Sequence, residues 1–171
     1  MTKIIITITF LFSVSYGFAQ KTLEALLNQY NTQSIPYISV QELRMLQLNS
    51  DIAILDSREQ NEYEVSHIDG ATLIGFNKFS ADDISEEIKD KDAPIIVYCS
   101  LGIRSEEIGE KLKKAGFTNV KNLYGGIFEW KNNDYPIVNN ASVETDSVHT
   151  FSKGWSKWLN RGIKVYKTDN N

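Results

Sequence analysis

Short apolar runs and helical patterns take turns along the chain from Tyr37 to Asn133, and few folds accept that order. A brief strand opens "YISVQELRMLQ" and leads into a helix for which Ser39 is the N-cap candidate. "DIAILDSRE" is the second strand, "GATLIGF" the third, "APIIVYC" the fourth and "NVKNLYG" the fifth. Ile52, Ala53, Ile54 and Leu55 form a nearly unbroken apolar run, as strands buried on both faces do. Between the strands, "SADDISEEIKD" starts on Ser80 with carboxylates in its first turn. "RSEEIGEKLKKAGF" sets Ile108 and Leu112 four apart, ends in lysines and stops at Gly116. Tyr124–Gly126 lacks the spacing and the following Lys-Ser or Lys-Thr of a phosphate loop, and it reads as a tight turn into "GIFEWKNN". Alternation of this kind implies right-handed crossovers and an α/β fold, a mostly parallel sheet of about five strands with helices on both faces. Ligands bind such sheets beyond the carboxyl ends of the strands. Cys99 lies at one of those ends.

It is the only cysteine among 171 residues, so the chain can form no internal disulfide. Six residues, "CSLGIR", join the fourth strand to the helix that begins near Ser105. If they curl back, successive backbone N–H groups and the positive end of the helix converge on the sulfur and favour a thiolate. Gly102 allows the positive φ that such a curl needs, and Arg104 adds a permanent cation. Thiolates in such settings have pKa values of roughly 3.5–7.5, against about 8.5 for free cysteine. The competing reading of a lone cysteine is a small buried hydrophobe, but this loop has no evident packing purpose. His67, His149 and Cys99 have no ligand spacing, so neither a metal nor a cofactor is expected. A net charge of -4 argues against a nucleic-acid partner.

Two blocks of the chain resemble a single-domain rhodanese. "ILDSREQNEYEVSHIDGATLIGF" is similar to the family's first signature through Asp56, Arg58, Glu62, Tyr63, His67, Ile68, Gly70 and Ala71. "IIVYCSLGIRSEEIGEKLKKAGFTNVKNLYGGIFEW" resembles the active-site loop Cys-x-x-Gly-x-Arg, its helix, the Gly-Phe turn and the Gly-Gly-x-x-x-Trp ending. The likeness runs from about Ile38 to Val138. Ser66 stands where a glycine usually precedes the histidine, and Ser100 where many members carry arginine, which removes a cation from the loop rim.

The resemblance implies a rhodanese-like fold and sulfur transfer. Cys99 would take the sulfane sulfur of a small anionic donor, thiosulfate or a persulfide, and pass it to cyanide or a thiol, including a protein thiol. Ser100, Leu101, Gly102, Ile103, Arg104 and Ser105 would form the substrate cradle, with the loop amides on the persulfide and Arg104, Ser100 and Ser105 orienting the donor. Asp56 and Arg58 are supporting candidates and read first as an ion pair that fastens the strand end. His67 reads as a hydrogen-bonding residue in a turn and Trp130 as core. One rival is a cysteine phosphatase or arsenate reductase, whose loop on the related scaffold is one residue longer. The other is a redox-sensing or protein-binding rhodanese module.

The ends of the chain differ from its middle. In "MTKIIITITFLFSVSYGFAQ", Lys3 precedes an apolar run from Ile4, with small residues at Gly17 and Ala19, the order of a secretory signal peptide. Residues 1–19 are therefore expected to direct export across the inner membrane to a periplasm, with cleavage after Ala19. The run is short and rich in Thr and Ser for a membrane span of about 20 residues, so an uncleaved anchor is the lesser alternative. Residues 20–35 form an N-terminal helical segment, 36–138 the rhodanese-like domain and 139–171 an extension. In "FSKGWSKWLNRGIKVYK", Trp155, Trp158 and Leu159 fall at helical intervals among Lys153, Lys157, Arg161 and Lys164. A short basic helix is expected to pack there on the parent domain, its cations near the acidic residues 81–92. The alternative is docking to an acidic partner or an anionic membrane.

Overall fold

A computed structural model describes residues 22–49 and 51–166. The expected signal segment, residues 1–19, and Lys167 of the basic tail lie outside the described residues. Helix α1, Leu23–Tyr30, is capped by Thr22, whose hydroxyl accepts the Ala25 N–H at 3.1 Å. Strand β1, Tyr37–Ile38, leads into α2, Val40–Asn49. Ser39 is its cap: the hydroxyl accepts the Glu42 N–H at 3.2 Å, and the Glu42 carboxylate accepts the Ser39 N–H at 3.0 Å.

The remaining sheet strands are β2, Ala53–Asp56, β3, Thr72–Leu73, β4, Ile95–Tyr98, and β5, Val120–Leu123. They join β1 in one sheet of order β1-β5-β4-β2-β3, every pair parallel. Strand β4 is central, and alternation of its side chains divides the core. Ile96 and Tyr98 enter one layer with Leu43 of α2 and with Phe128 and Trp130 of α6, Gly126–Asn132. Ile95 and Val97 enter the other with Ile84 of α4, Ala81–Glu87, and with Ile108 and Leu112 of α5, Arg104–Lys114. Ser80 caps α4 by accepting the Asp83 N–H at 3.2 Å.

One helix has no forerunner in the sequence reading. Helix α3, Gln60–Val65, follows Glu59 rather than a Ser, Thr, Asp or Asn, and its six residues show no apolar stripe. Its start is secured instead by the Glu62 carboxylate, which accepts the Glu59 N–H at 3.0 Å. Beyond the sheet, β6, Ile137–Val138, pairs antiparallel with β7, Glu144–Thr145, and β8, Ser147–His149, pairs parallel with β9, Ile163–Val165.

Residues 147–165 form a strap whose path corrects the expected basic helix. Only Ser156–Trp158 make a single 3-10 turn, and the strap packs on the layer that holds Trp130. Val148 and Leu159 are wholly buried there, with Trp155 and Trp158 packed against them. Burying Leu159 in that layer takes precedence over a regular helical stripe, for which the three-residue turn is too short. Two of the strap's cations, Arg161 and Lys157, do not reach residues 81–92 either. Arg161 pairs with Asp134 and Lys157 lies 5.4 Å from the Trp158 ring centre, whereas Ile84 packs on the opposite layer of the sheet.

Candidate active site

The chain leaves β4 at Tyr98, whose carbonyl accepts both the N–H and the hydroxyl of Ser57, at 2.9 and 2.8 Å. That ties the end of β4 to the end of β2 and sets the start of the cysteine loop. The next two carbonyls, of Cys99 and Ser100, accept the N–H groups of Ile127 and Phe128 at 3.0 and 3.2 Å. Helix α6 thus sits so close that a Cβ on Gly126 would lie 2.2 Å from the Cys99 oxygen, and Gly126 has φ +54. Only glycine fits there.

The loop then turns back on its sulfur. Gly102 adopts φ +103 and its N–H donates to Cys99 Sγ at 3.1 Å. Its carbonyl, facing the other way, accepts from Asn122 Nδ2 and Asn31 Nδ2, each at 2.8 Å. The Ser105 hydroxyl stands 3.6 Å from Sγ and donates to Asn122 Oδ1 at 2.7 Å. Cys99 is buried, which by itself pushes its thiol up. The Arg104 charge and the Ser105 and Gly102 N–H groups outweigh burial and hold it below the ordinary thiol range.

Arg104 owes its position to α3. Its two terminal nitrogens fork onto the Glu62 carboxylate at 2.7 and 2.8 Å, and one of them also donates to the Ser100 hydroxyl at 3.2 Å. Burial would raise Glu62, but Arg104 and Arg58 keep it below the usual carboxylate range. Phe151 of the strap lies 5.1 Å from the Arg104 guanidinium carbon, and His149 Nδ1 is 4.0 Å from Glu62 Oε1. The guanidinium charge therefore reaches Sγ while its fork is already filled.

Cys99, Ser100, Leu101, Ile103 and Arg104 line a pocket of about 180 Å³, closed on one side by Phe151 and Trp155. Gly102 and Ser105, also expected at the site, hold the sulfur from behind. Asp56 and Arg58 are an entirely buried ion pair at 2.6 Å, with Arg58 also donating to the Ser66 carbonyl at 2.7 Å. They brace the ends of β2 and α3 and do not line the pocket. His67 exchanges backbone hydrogen bonds with Val138 and stacks on Tyr63 at 3.7 Å, and Trp130 is core, its Nε1 donating to the Pro136 carbonyl at 2.9 Å. Sequence reasoning assigned no site role to Glu62, Asn122 or Asn31. Glu62 stood in the quoted signature, but nothing local marks the two asparagines, which act through contacts 20 and 71 residues distant. Among the described residues no group of His, Cys, Asp and Glu could hold a metal ion.

A strand-end cysteine whose sulfur accepts backbone N–H groups in a six-residue loop, on a five-stranded parallel sheet, defines an α/β domain with a loop-cradled thiol at the carboxyl end of its central strand. The sequence matches the family model described as Rhodanese-like domain over residues 39–133, and the chain belongs to that family. It is 40% identical over 81 residues to the thiosulfate sulfurtransferase GlpE of Coxiella burnetii, covering 47% of this chain and 73% of that protein. It is 35% identical over 103 residues to a tRNA uridine(34) hydroxylase of Listeria monocytogenes, covering 57% of this chain. The chain spans only 32% of that relative's length. The rhodanese-like domain of the Anabaena Alr3790 protein superposes with a TM-score of 0.55 at 25% identity, covering 61% of this chain and 79% of that one.

Proposed function

We propose that the protein moves a sulfane sulfur from a donor such as thiosulfate or a persulfide, through a persulfide on Cys99, to cyanide or a thiol acceptor. In the first half-reaction the Cys99 thiolate attacks the outer sulfur of the donor. A new S–S bond forms, the donor's own S–S bond breaks, and its electron pair leaves with sulfite or thiolate. The terminal persulfide sulfur then carries the negative charge, which the amides of the loop and the N-terminal end of α5 stabilise. In the second half-reaction cyanide or a thiolate attacks that sulfur and restores the Cys99 thiolate, giving ping-pong kinetics.

The observation that supports this reading most is the Gly102 N–H on Cys99 Sγ at 3.1 Å, beside a guanidinium that lowers the thiol pKa. Four residues separate Cys99 from Arg104, a ring suited to a sulfur atom rather than to a tetrahedral phosphoryl group. Intact mass measured after exposure to a sulfane donor tests the proposal. One added sulfur on Cys99, removed by cyanide, is expected, and a mass unchanged by every donor class would overturn it. Export is part of the proposal, supported by Lys3, the apolar run from Ile4 and the small residues Gly17 and Ala19. A mature N-terminus at Gln20 in protein isolated from cells is expected, and one at Met1 would sink it.

A further inference from the structure

The pocket above Cys99 is unlike what a small dianion needs. Leu101 and Ile103 supply its loop side, and Phe151 and Trp155 its far wall. The Arg104 fork is occupied by Glu62, and Ser100 stands on the rim without a charge. Among the described residues no other cation lines this space. With Cys99 ionised, one guanidinium faces one carboxylate and one thiolate, so a doubly negative donor meets no uncompensated positive charge apart from the loop amides. An apolar body would cover Leu101, Ile103, Phe151 and Trp155 and displace water from them.

We propose that Phe151 and Trp155 are specificity-determining residues that select a sulfane-sulfur donor with an apolar organic body and at most one negative charge over thiosulfate. This rests on the sulfur-transfer reading above. Both residues belong to the strap, outside the stretch matched by the family, and Phe151 is held at φ +60 over the Arg104 guanidinium. The chemistry is unchanged in kind. With an organic thiosulfonate, the Cys99 thiolate bonds to the terminal sulfur, the S–S bond to the sulfonyl group breaks, and the electron pair departs with the sulfinate.

Benzenethiosulfonate, methanethiosulfonate and thiosulfate, with cyanide as acceptor, separate body from charge. Each kcat/KM is divided by the uncatalysed rate of the same donor with cyanide. The full chain is expected to favour benzenethiosulfonate over methanethiosulfonate by about tenfold, the scale of burying one aromatic ring against aromatic walls. Phe151→Ala and Trp155→Ala should each cut that ratio by about fivefold. Phe151 is 53% exposed, so its truncation leaves the core packed, and an unchanged melting temperature verifies that. Phe151→Lys, which puts a cation at the same wall, should shift preference toward thiosulfate. A ratio near one in the full chain, or a ratio that neither alanine variant alters, overturns the selection while Cys99 still gains sulfur. Absence of added sulfur with all three donors instead overturns the sulfur-transfer reading together with the selection.

Discussion

Between β4 and α5 the cysteine loop is held almost wholly by backbone groups and buried polar side chains, whereas the strap across its mouth is held by a few apolar anchors and one side chain, Asn132, which donates to the Trp158 carbonyl and accepts the Asn160 N–H. In the loop, the carbonyls of Cys99, Ser100 and Gly102 and the Gly102 N–H all have partners at 2.8–3.2 Å. In the strap, Val148 and Leu159 are buried, while Phe151 and Ile163 are exposed and Arg161 meets Asp134 at the surface. Hydrogen bonds to a fixed backbone set positions to within a fraction of an ångström, and a displaced partner leaves a buried polar group unsatisfied. Apolar contacts are less directional and allow substitution at small cost. Cys99 thus sits where geometry is rigid, and the pocket wall where it is replaceable.

The comparison breaks first, if at all, at the sulfur. Cys99→Ser should reduce sulfur transfer to the uncatalysed level with the fold intact, because a serine hydroxyl neither ionises near neutral pH nor carries a persulfide. Measurable turnover in that variant, assayed with any of the three donors, would move the chemistry elsewhere.

Next in size is Arg104→Ala. It removes the cation that lowers the Cys99 thiol, so turnover near neutral pH should fall about ten- to a hundredfold, the scale of one charge-assisted interaction of about 1.5–3 kcal/mol. It also strands Glu62 in a buried site, which costs about 3–5 kcal/mol of stability. The sign of the pH effect is fixed by the thiol. In the native site burial is outweighed and the thiol is lowered, so alkylation of Cys99 by iodoacetamide should reach half its maximal rate below the pH of a free cysteine. Without Arg104 the largest lowering influence is lost and that midpoint moves to higher pH. An unmoved midpoint would mean that the loop amides alone set the thiolate.

The smallest effect should come from the strap. Truncation after Ser147 removes Val148 and Leu159 from the core and should lower the melting temperature by about 5–10 °C. The alkylation midpoint should not rise, because Arg104, Gly102 and Ser105 remain and less burial can only lower the thiol further. A rise would show that the strap takes part in holding the thiolate, and the division between loop and strap would fail.

Much of the fold is legible in the chain because its signals are local. The run Ile95–Tyr98, the Ser39 and Ser80 caps and the lysine-rich end of α5 act over fewer than five residues, and each appears in the structure at its expected place. Helix α3 was not legible, since an acidic residue begins it and tertiary contacts, Glu62 to Arg104 foremost, sustain it. The strap misled for a related reason: Trp155, Trp158 and Leu159 have helical spacing, but what places them is contact with a layer shared by α6 and α1.

By itself the sequence determined a parallel α/β sheet, a cysteine at the carboxyl end of its fourth strand, and a glycine and an arginine spaced to turn a loop upon it. Those follow from periodicity and from the reach of a six-residue segment, both short-range properties. Tertiary structure alone decided that Glu62 fills the Arg104 fork, that Asn31 and Asn122 hold the loop from outside, and that Phe151 and Trp155 wall the pocket. Each of those contacts joins residues 17 or more positions apart, where the cost of loop closure depends only weakly on length and local pattern carries no trace of the partner.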